Sequence, residues 1–187
     1  MSESRATMTL GFLTVVQHEV HGYFGGYLLL NANGRPLEFH CTAPVKPNRA
    51  QEILYGPTLE PYLYGEQIGQ TLIAKSKSKP LAVCTDVAPV LAAREFVSLP
   101  VALVEAHEPQ PTTEQKGAAR LRVDRAHGQL ELKSFVLGRN RLAVQARHPQ
   151  DETEFVERLA EMAEHFDLSE PFDRIRGAIE EAQRASR

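Results

Sequence analysis

The feature that most constrains this chain is the pair Asn33-Gly34, set in Asn31-Ala32-Asn33-Gly34-Arg35-Pro36 between two strand-like segments. Asn-Gly supplies the positive φ that a tight hairpin turn needs. The flanking segments, Tyr23 to Asn31 and Leu37 to Thr42, read as strands, and Phe12 to Val20, rich in Val and Thr, adds a third before them. An N-terminal antiparallel meander of three strands is therefore expected. Gly25-Gly26 interrupts the second strand and marks a bulge or a close backbone approach.

Pro44 and Pro47 end the meander. Asn48 and Gln51 have capping-box spacing, which predicts a helix from Arg49 that Gly56-Pro57 breaks. A second helix is expected from Leu59 to Ala74, with Leu59, Leu63, Ile68, Leu72 and Ile73 as its apolar stripe and Gly65 and Gly69 weakening it. Lys75-Ser76-Lys77-Ser78-Lys79-Pro80 reads as an exposed turn. Leu81 to Thr85 is a short buried strand, Asp86 the cap of a brief helix through Arg94, and Phe96 to Ala106 a strand interrupted or edged by Pro100. His107 to Gly117 contains no apolar residue and reads as a loop.

After the loop the apolar residues alternate. Leu121 and Val123, then Leu130 and Leu132, then Leu142, Val144 and Ala146 are each interleaved with polar residues. This predicts a second three-strand meander with one wet face. Asp151 with Glu154 reads as a capping box before the stripe Phe155, Leu159, Met162 and Phe166; Ser169 caps a last helix facing inward through Phe172, Ile175, Ile179 and Ala182. Strands, helices, strands, helices is the order of an α+β fold with a largely antiparallel sheet: two three-strand meanders packed with helices, two of them C-terminal. Residues 8–187 are read as one domain. The loop 107–117 is the only sub-boundary, between 8–106 and 118–187, and three short strands with two helices make too thin a core to stand alone.

Composition narrows the class. Cys41 and Cys84 are too few for a disulfide framework, which points to a reducing, cytoplasmic compartment. The apolar run Met8 to Val16 has no cleavage site after it and is read as structure, not as a signal peptide. No segment is long enough to span a bilayer, so no membrane partner is expected. Glycine-rich nucleotide loops, serine-hydrolase elbows and zinc spacings are absent, and no cofactor is expected.

The candidate residues fall into three groups. All five tyrosines, Tyr23, Tyr27, Tyr55, Tyr62 and Tyr64, lie among glycines, and this amphipathic composition suits a contact surface, with Glu38, His40 and Glu66 as its polar groups. Gly65 and Gly69, four apart, would clear a helix face for a partner. His40 and Cys41 are adjacent, yet strand parity sends them to opposite faces; Cys41 is expected in the core, as is Cys84. His18, Glu19 and His21 would need a turn at Val20 to Gly22 to meet, so no metal site is assigned. The third group is electrostatic. Residues 118–147 hold seven basic and two acidic side chains, and 148–187 hold five basic and eleven acidic. Arg120, Arg122, Lys133, Arg141 and Arg147 share the wet parity of the second meander.

No catalytic constellation assembles from these spacings. The expectation is a non-catalytic binding or adaptor module acting through a protein partner or self-association. Two alternatives stand beside it: a small hydrolase or transferase around His40, Glu66 and Tyr23, and binding of nucleic acid or a phosphate ligand by the basic face of 118–147.

Overall fold

A computed structural model describes residues 8–105 and 130–185. Its strands are β1 (Thr9–His18), β2 (Gly22–Asn31), β3 (Pro36–Cys41), β4 (Val83–Thr85), β5 (Val101–Val104), β6 (Leu132–Leu137) and β7 (Asn140–Gln145). They form one open sheet in the order β3-β2-β1-β4-β5-β7-β6. The fold is α+β and the sheet is mostly antiparallel. It is mixed, however, because β4 lies parallel to both β1 and β5. The expected strand at Leu121 and Val123 lies outside the described residues.

The N-terminal meander forms as expected. Asn31 Oδ1 accepts the backbone N–H groups of Asn33 and Arg35 at 3.0 Å each, and Gly34 has φ +74°. The side chain of Asn31 thus closes the turn that Asn33-Gly34 opens. β1 is central and buried on both faces, which explains its nearly unbroken apolar run. Gly25-Gly26 is a close-approach site: a side chain at Gly25 would collide with Ile68 on one face, and one at Gly26 with Ile175 on the other. The bulge itself falls between Leu29 and Leu30.

The helices split between the two faces. Helix α1 (Arg49–Tyr55) carries the reciprocal Asn48–Gln51 capping box. The expected helix over Leu59–Ala74 is instead a π-helical segment, Pro61–Gln70, running into α2 (Thr71–Lys75). With a 3₁₀ segment, Ala88–Glu95, it covers one face, where Leu13, Tyr27, Leu29, Leu63, Ile68, Leu72 and Leu91 are buried. Asp86 does not cap that segment, whose first cap is Val87. Helices α3 (Gln150–Ala163) and α4 (Glu170–Ala185) cover the other face, burying Phe155, Leu159, Phe172, Ile175 and Ile179 against Phe12, Leu28 and Cys84.

Asp151 is not the cap of α3. It is 1% exposed, and Arg94 grips it with Nε 2.8 Å from Oδ2 and a second nitrogen 3.1 Å from Oδ1. The backbone N–H of Val101 also donates to it at 3.3 Å, so one carboxylate ties the 3₁₀ segment, β5 and α3 together. Cys84 is buried as expected, but Cys41 is exposed. Parity places Cys41 with Leu37 and Phe39, yet β3 is the edge strand and these two are themselves 48% and 39% exposed. Helix α4 packs on β1 and β2, whereas β3, at the sheet edge, meets α2 on its other side.

Candidate functional site

On β3, Glu38 and His40 share a face as alternation requires, and His40 Nε2 lies 3.0 Å from Glu38 Oε2. The same carboxylate accepts the backbone N–H groups of Lys77 and Ser78, both at 2.9 Å, and the Ser76 hydroxyl lies 3.3 Å from it. His40 first, then the backbone donors, hold the Glu38 carboxyl down to about 2 from its ordinary 4.5. Tyr27 stands opposite His40 in the register and stacks on it with centroids 6.4 Å apart. Burial pushes its phenol up to about 12. The cluster is a clamp on the loop after α2: the carboxylate is spent on holding backbone.

The other tyrosines pack within the fold. Tyr27 and Tyr64 are buried, and Tyr23 lies against Tyr64 at 5.2 Å. Tyr55 stacks on Tyr62 at 4.1 Å, and the hydrogen bond between them raises the Tyr55 phenol above its ordinary value. Gly65 and Gly69 open no face to a partner. A Cβ at Gly65 would lie 2.6 Å from Ala92 Cβ, and one at Gly69 would lie 3.1 Å from Ala93 Cβ, because the 3₁₀ segment already fills the gap. The Glu66 charge adds to the raising of the Tyr55 phenol, after the Tyr62 hydrogen bond and burial, whereas His40 is engaged by Glu38 and Tyr27. The turn after β1 does bring the rings of His18 and His21 to 4.6 Å, but His18 Nδ1 accepts backbone N–H groups from Val20 and His21.

Arg120 and Arg122 lie outside the described residues. The other members of the basic face are each paired with a carboxylate: Lys133 with Glu152 at 2.6 Å, Arg141 with Glu105 at 2.8 Å and Arg147 with Glu95 at 3.1 Å. Glu95 also lies 2.8 Å from His148 Nε2, and that hydrogen bond leads the effects that hold its carboxyl below the usual range. The expectation of one wet face is corrected at Gln145, which is 2% exposed and donates to the carbonyl of Leu91. The 3₁₀ segment covers the side that was expected to meet water.

Sequence reasoning passed over the residues that follow the inner parallel strands, Asp86 after β4 and Glu105 after β5. The carboxyl ends of parallel strands are where open sheets present groups to ligands. Here Arg176 of α4 pairs with Asp86, and Arg141 with Glu105, which also accepts the Ser134 hydroxyl at 2.9 Å. A small cleft beside Glu105 is lined by Arg139, Asn140, Arg141, Asp167 and Ser169. Asn140 is occupied with structure, donating to the carbonyls of Ala163 and Phe166 and accepting from Leu168. Parallel pairing was the missing signal, since β4 and β5 are too short to show a period. Among the described residues, no three or more His, Cys, Asp or Glu side chains converge as a metal ion requires. Among them, too, no helix is long and apolar enough to cross a membrane.

No family model matches the sequence, and no curated protein matches it. Solved structures do match. The structure of human ENDOV aligns with 96% of this chain and 86% of its own at 13% identity and a TM-score of 0.52. Ciona intestinalis Endonuclease V, in complex with a 23mer DNA containing an inosine followed by a ribo-adenosine, aligns with 78% of this chain and 73% of its own at 12% identity and a TM-score of 0.39. The likeness to human ENDOV is one of fold. It overturns the expectation of a non-catalytic adaptor with a protein or homo-oligomer partner. The tyrosine–glycine segments behind that expectation are packed against sheet, helix and one another.

Proposed function

We propose that this chain binds nucleic acid, with the arginines between 118 and 147 supplying phosphate contacts. The observation that carries the reading is the likeness of fold to human ENDOV over nearly the whole chain, the related proteins being named as endonuclease V. The excess of five positive charges over 118–147 agrees with it. Arg141 and Arg147 must each exchange a carboxylate for a phosphate. That exchange costs least at Arg147, whose pair with Glu95 is exposed on both sides (57% and 39%), the Glu105 partner of Arg141 being 18% exposed. Exposed ion pairs contribute only about 0–1 kcal/mol. The reading takes 8–187 as one domain, supported by strands from both sides of 107–117 sharing one sheet. It places the chain in the cytoplasm, in keeping with two unpaired thiols.

The test is fluorescence anisotropy with labelled single-stranded and duplex oligonucleotides, titrated at rising salt. The logarithm of affinity should fall linearly with the logarithm of salt concentration, by about 0.7 per phosphate contact on single strands and 0.9 on duplex. In the variant R120A/R122A/R141A/R147A the slope should flatten by about 3. Absence of binding at low salt, or a slope unchanged in that variant, would overturn the reading.

A further inference from the structure

We infer that the loop Lys75-Ser76-Lys77-Ser78-Lys79 is a preorganised phosphate-contacting element for a nucleic-acid strand, distinct from the arginine segment. The inference rests on the nucleic-acid reading and adds a second contact surface to it.

Lys75 ends α2, and the short loop after it, exposed at Lys77, Ser78 and Lys79, is held at several points. Glu38 of β3 accepts Lys77 N–H and Ser78 N–H, one on each carboxylate oxygen. Two successive backbone N–H groups converging on one anion form a nest, and Glu38 fills it from within the protein. The Ser76 hydroxyl donates to the carbonyl of Ser78 at 2.8 Å, and the Thr9 hydroxyl of β1 donates to the carbonyl of Lys79 at 3.2 Å. Pro80 is buried, and a proline disfavours helical backbone at the residue before it. The backbone is therefore ordered before any ligand arrives, which lowers the entropy lost on binding.

What the loop presents is charge. Lys75, Lys77 and Lys79 are all exposed, and among the described residues none of the three has an ion pair. This separates them from Lys133, Arg141 and Arg147, each of which already holds a carboxylate. Glu38 sets its one negative charge below the loop, engaging the backbone of Lys77 and Ser78 and the Ser78 side chain, and leaves three ammonium groups outside. Such a group suits successive phosphates, each of which accepts from a freely rotating ammonium. From β3, which carries the clamp, to β7, which carries Arg141, is five strand steps, or roughly 24 Å along the sheet. A ligand touching both surfaces must be a polymer.

The experiment compares the intact chain with K75A/K77A/K79A by anisotropy of a fluorescein-labelled single-stranded DNA across a salt series, with circular dichroism to verify the fold. Loss of three contacts should flatten the salt slope by about 2 and weaken binding at low salt. K75R/K77R/K79R, which keeps the charge, should restore both. An alanine variant that is folded and binds with the slope of the intact chain overturns the inference while leaving the nucleic-acid reading in place. An intact chain that binds no DNA overturns both. Loss in the lysine variant with none in the arginine variant upholds the loop and removes the arginines from the reading.

Discussion

Glu38 shows how one side chain acquires a role from neighbours distant in sequence. Its neighbours Ser76, Lys77 and Ser78 lie 38 to 40 residues away, and only His40 is local. Strand parity was enough to pair Glu38 with His40, and nothing in the residues around it announced the loop. The folded carboxyl is depressed below its unfolded value. Its stabilisation is therefore complete above about pH 4.5 and is lost as pH falls through about 2. Melting temperatures of the intact chain and Glu38→Gln should differ by a constant amount near neutrality and converge as pH falls across that window. A gap unchanged into strong acid would show that the carboxyl is not depressed. Cys41 marks the limit of parity: alternation sets it with Leu37 and Phe39 and so predicted burial, but at this edge strand all three are exposed.

Among the elements, the π-helical segment and the 3₁₀ segment are the ones whose sequence pattern was hardest to convert into geometry. The stripe Leu63, Ile68 and Leu72 announced a helix packed on the sheet, and all three are buried. Gly65 and Gly69 looked like an opening, and the 3₁₀ segment fills it. Two glycine substitutions separate close packing from intrinsic preference. A Cβ at Gly65 would lie 2.6 Å from Ala92 Cβ and 2.7 Å from the Ala93 backbone nitrogen, which cannot move aside without shifting the segment. Gly65→Ala should cost about 1–3 kcal/mol through overpacking. Gly177, in the interior of α4, has nothing within 4 Å of its Cβ position, so Gly177→Ala should stabilise by up to about 1 kcal/mol through helix propensity. Urea denaturation midpoints should move in opposite directions, and a shared direction would contradict the packing argument.

At the scale of the whole molecule, the Arg94–Asp151 pair joins the segment on one face of the sheet to the helix on the other. The aspartate is 1% exposed, so removing its partner leaves a buried charge uncompensated. Arg94→Ala should cost about 3–5 kcal/mol in urea denaturation. Lys133→Ala, which breaks a pair whose lysine is 56% exposed, should cost no more than about 1 kcal/mol. Equal losses would mean that Asp151 relaxes into water. The sequence by itself determined what has a local cause: the Asn31–Gly34 turn, the Asn48–Gln51 cap, the strand character of the N-terminal meander and the buried positions Phe155, Leu159, Phe172, Ile175 and Ile179 of α3 and α4, though not Ala182, which is exposed. Tertiary structure alone decided the strand order, the parallel placement of β4 and β5, the covering of Gln145, the exposure of Cys41 and the partners of Asp86, Glu38 and Asp151. The physical reason is that backbone periodicity sets the direction a side chain points, whereas burial and pairing depend on which distant segment arrives on that side.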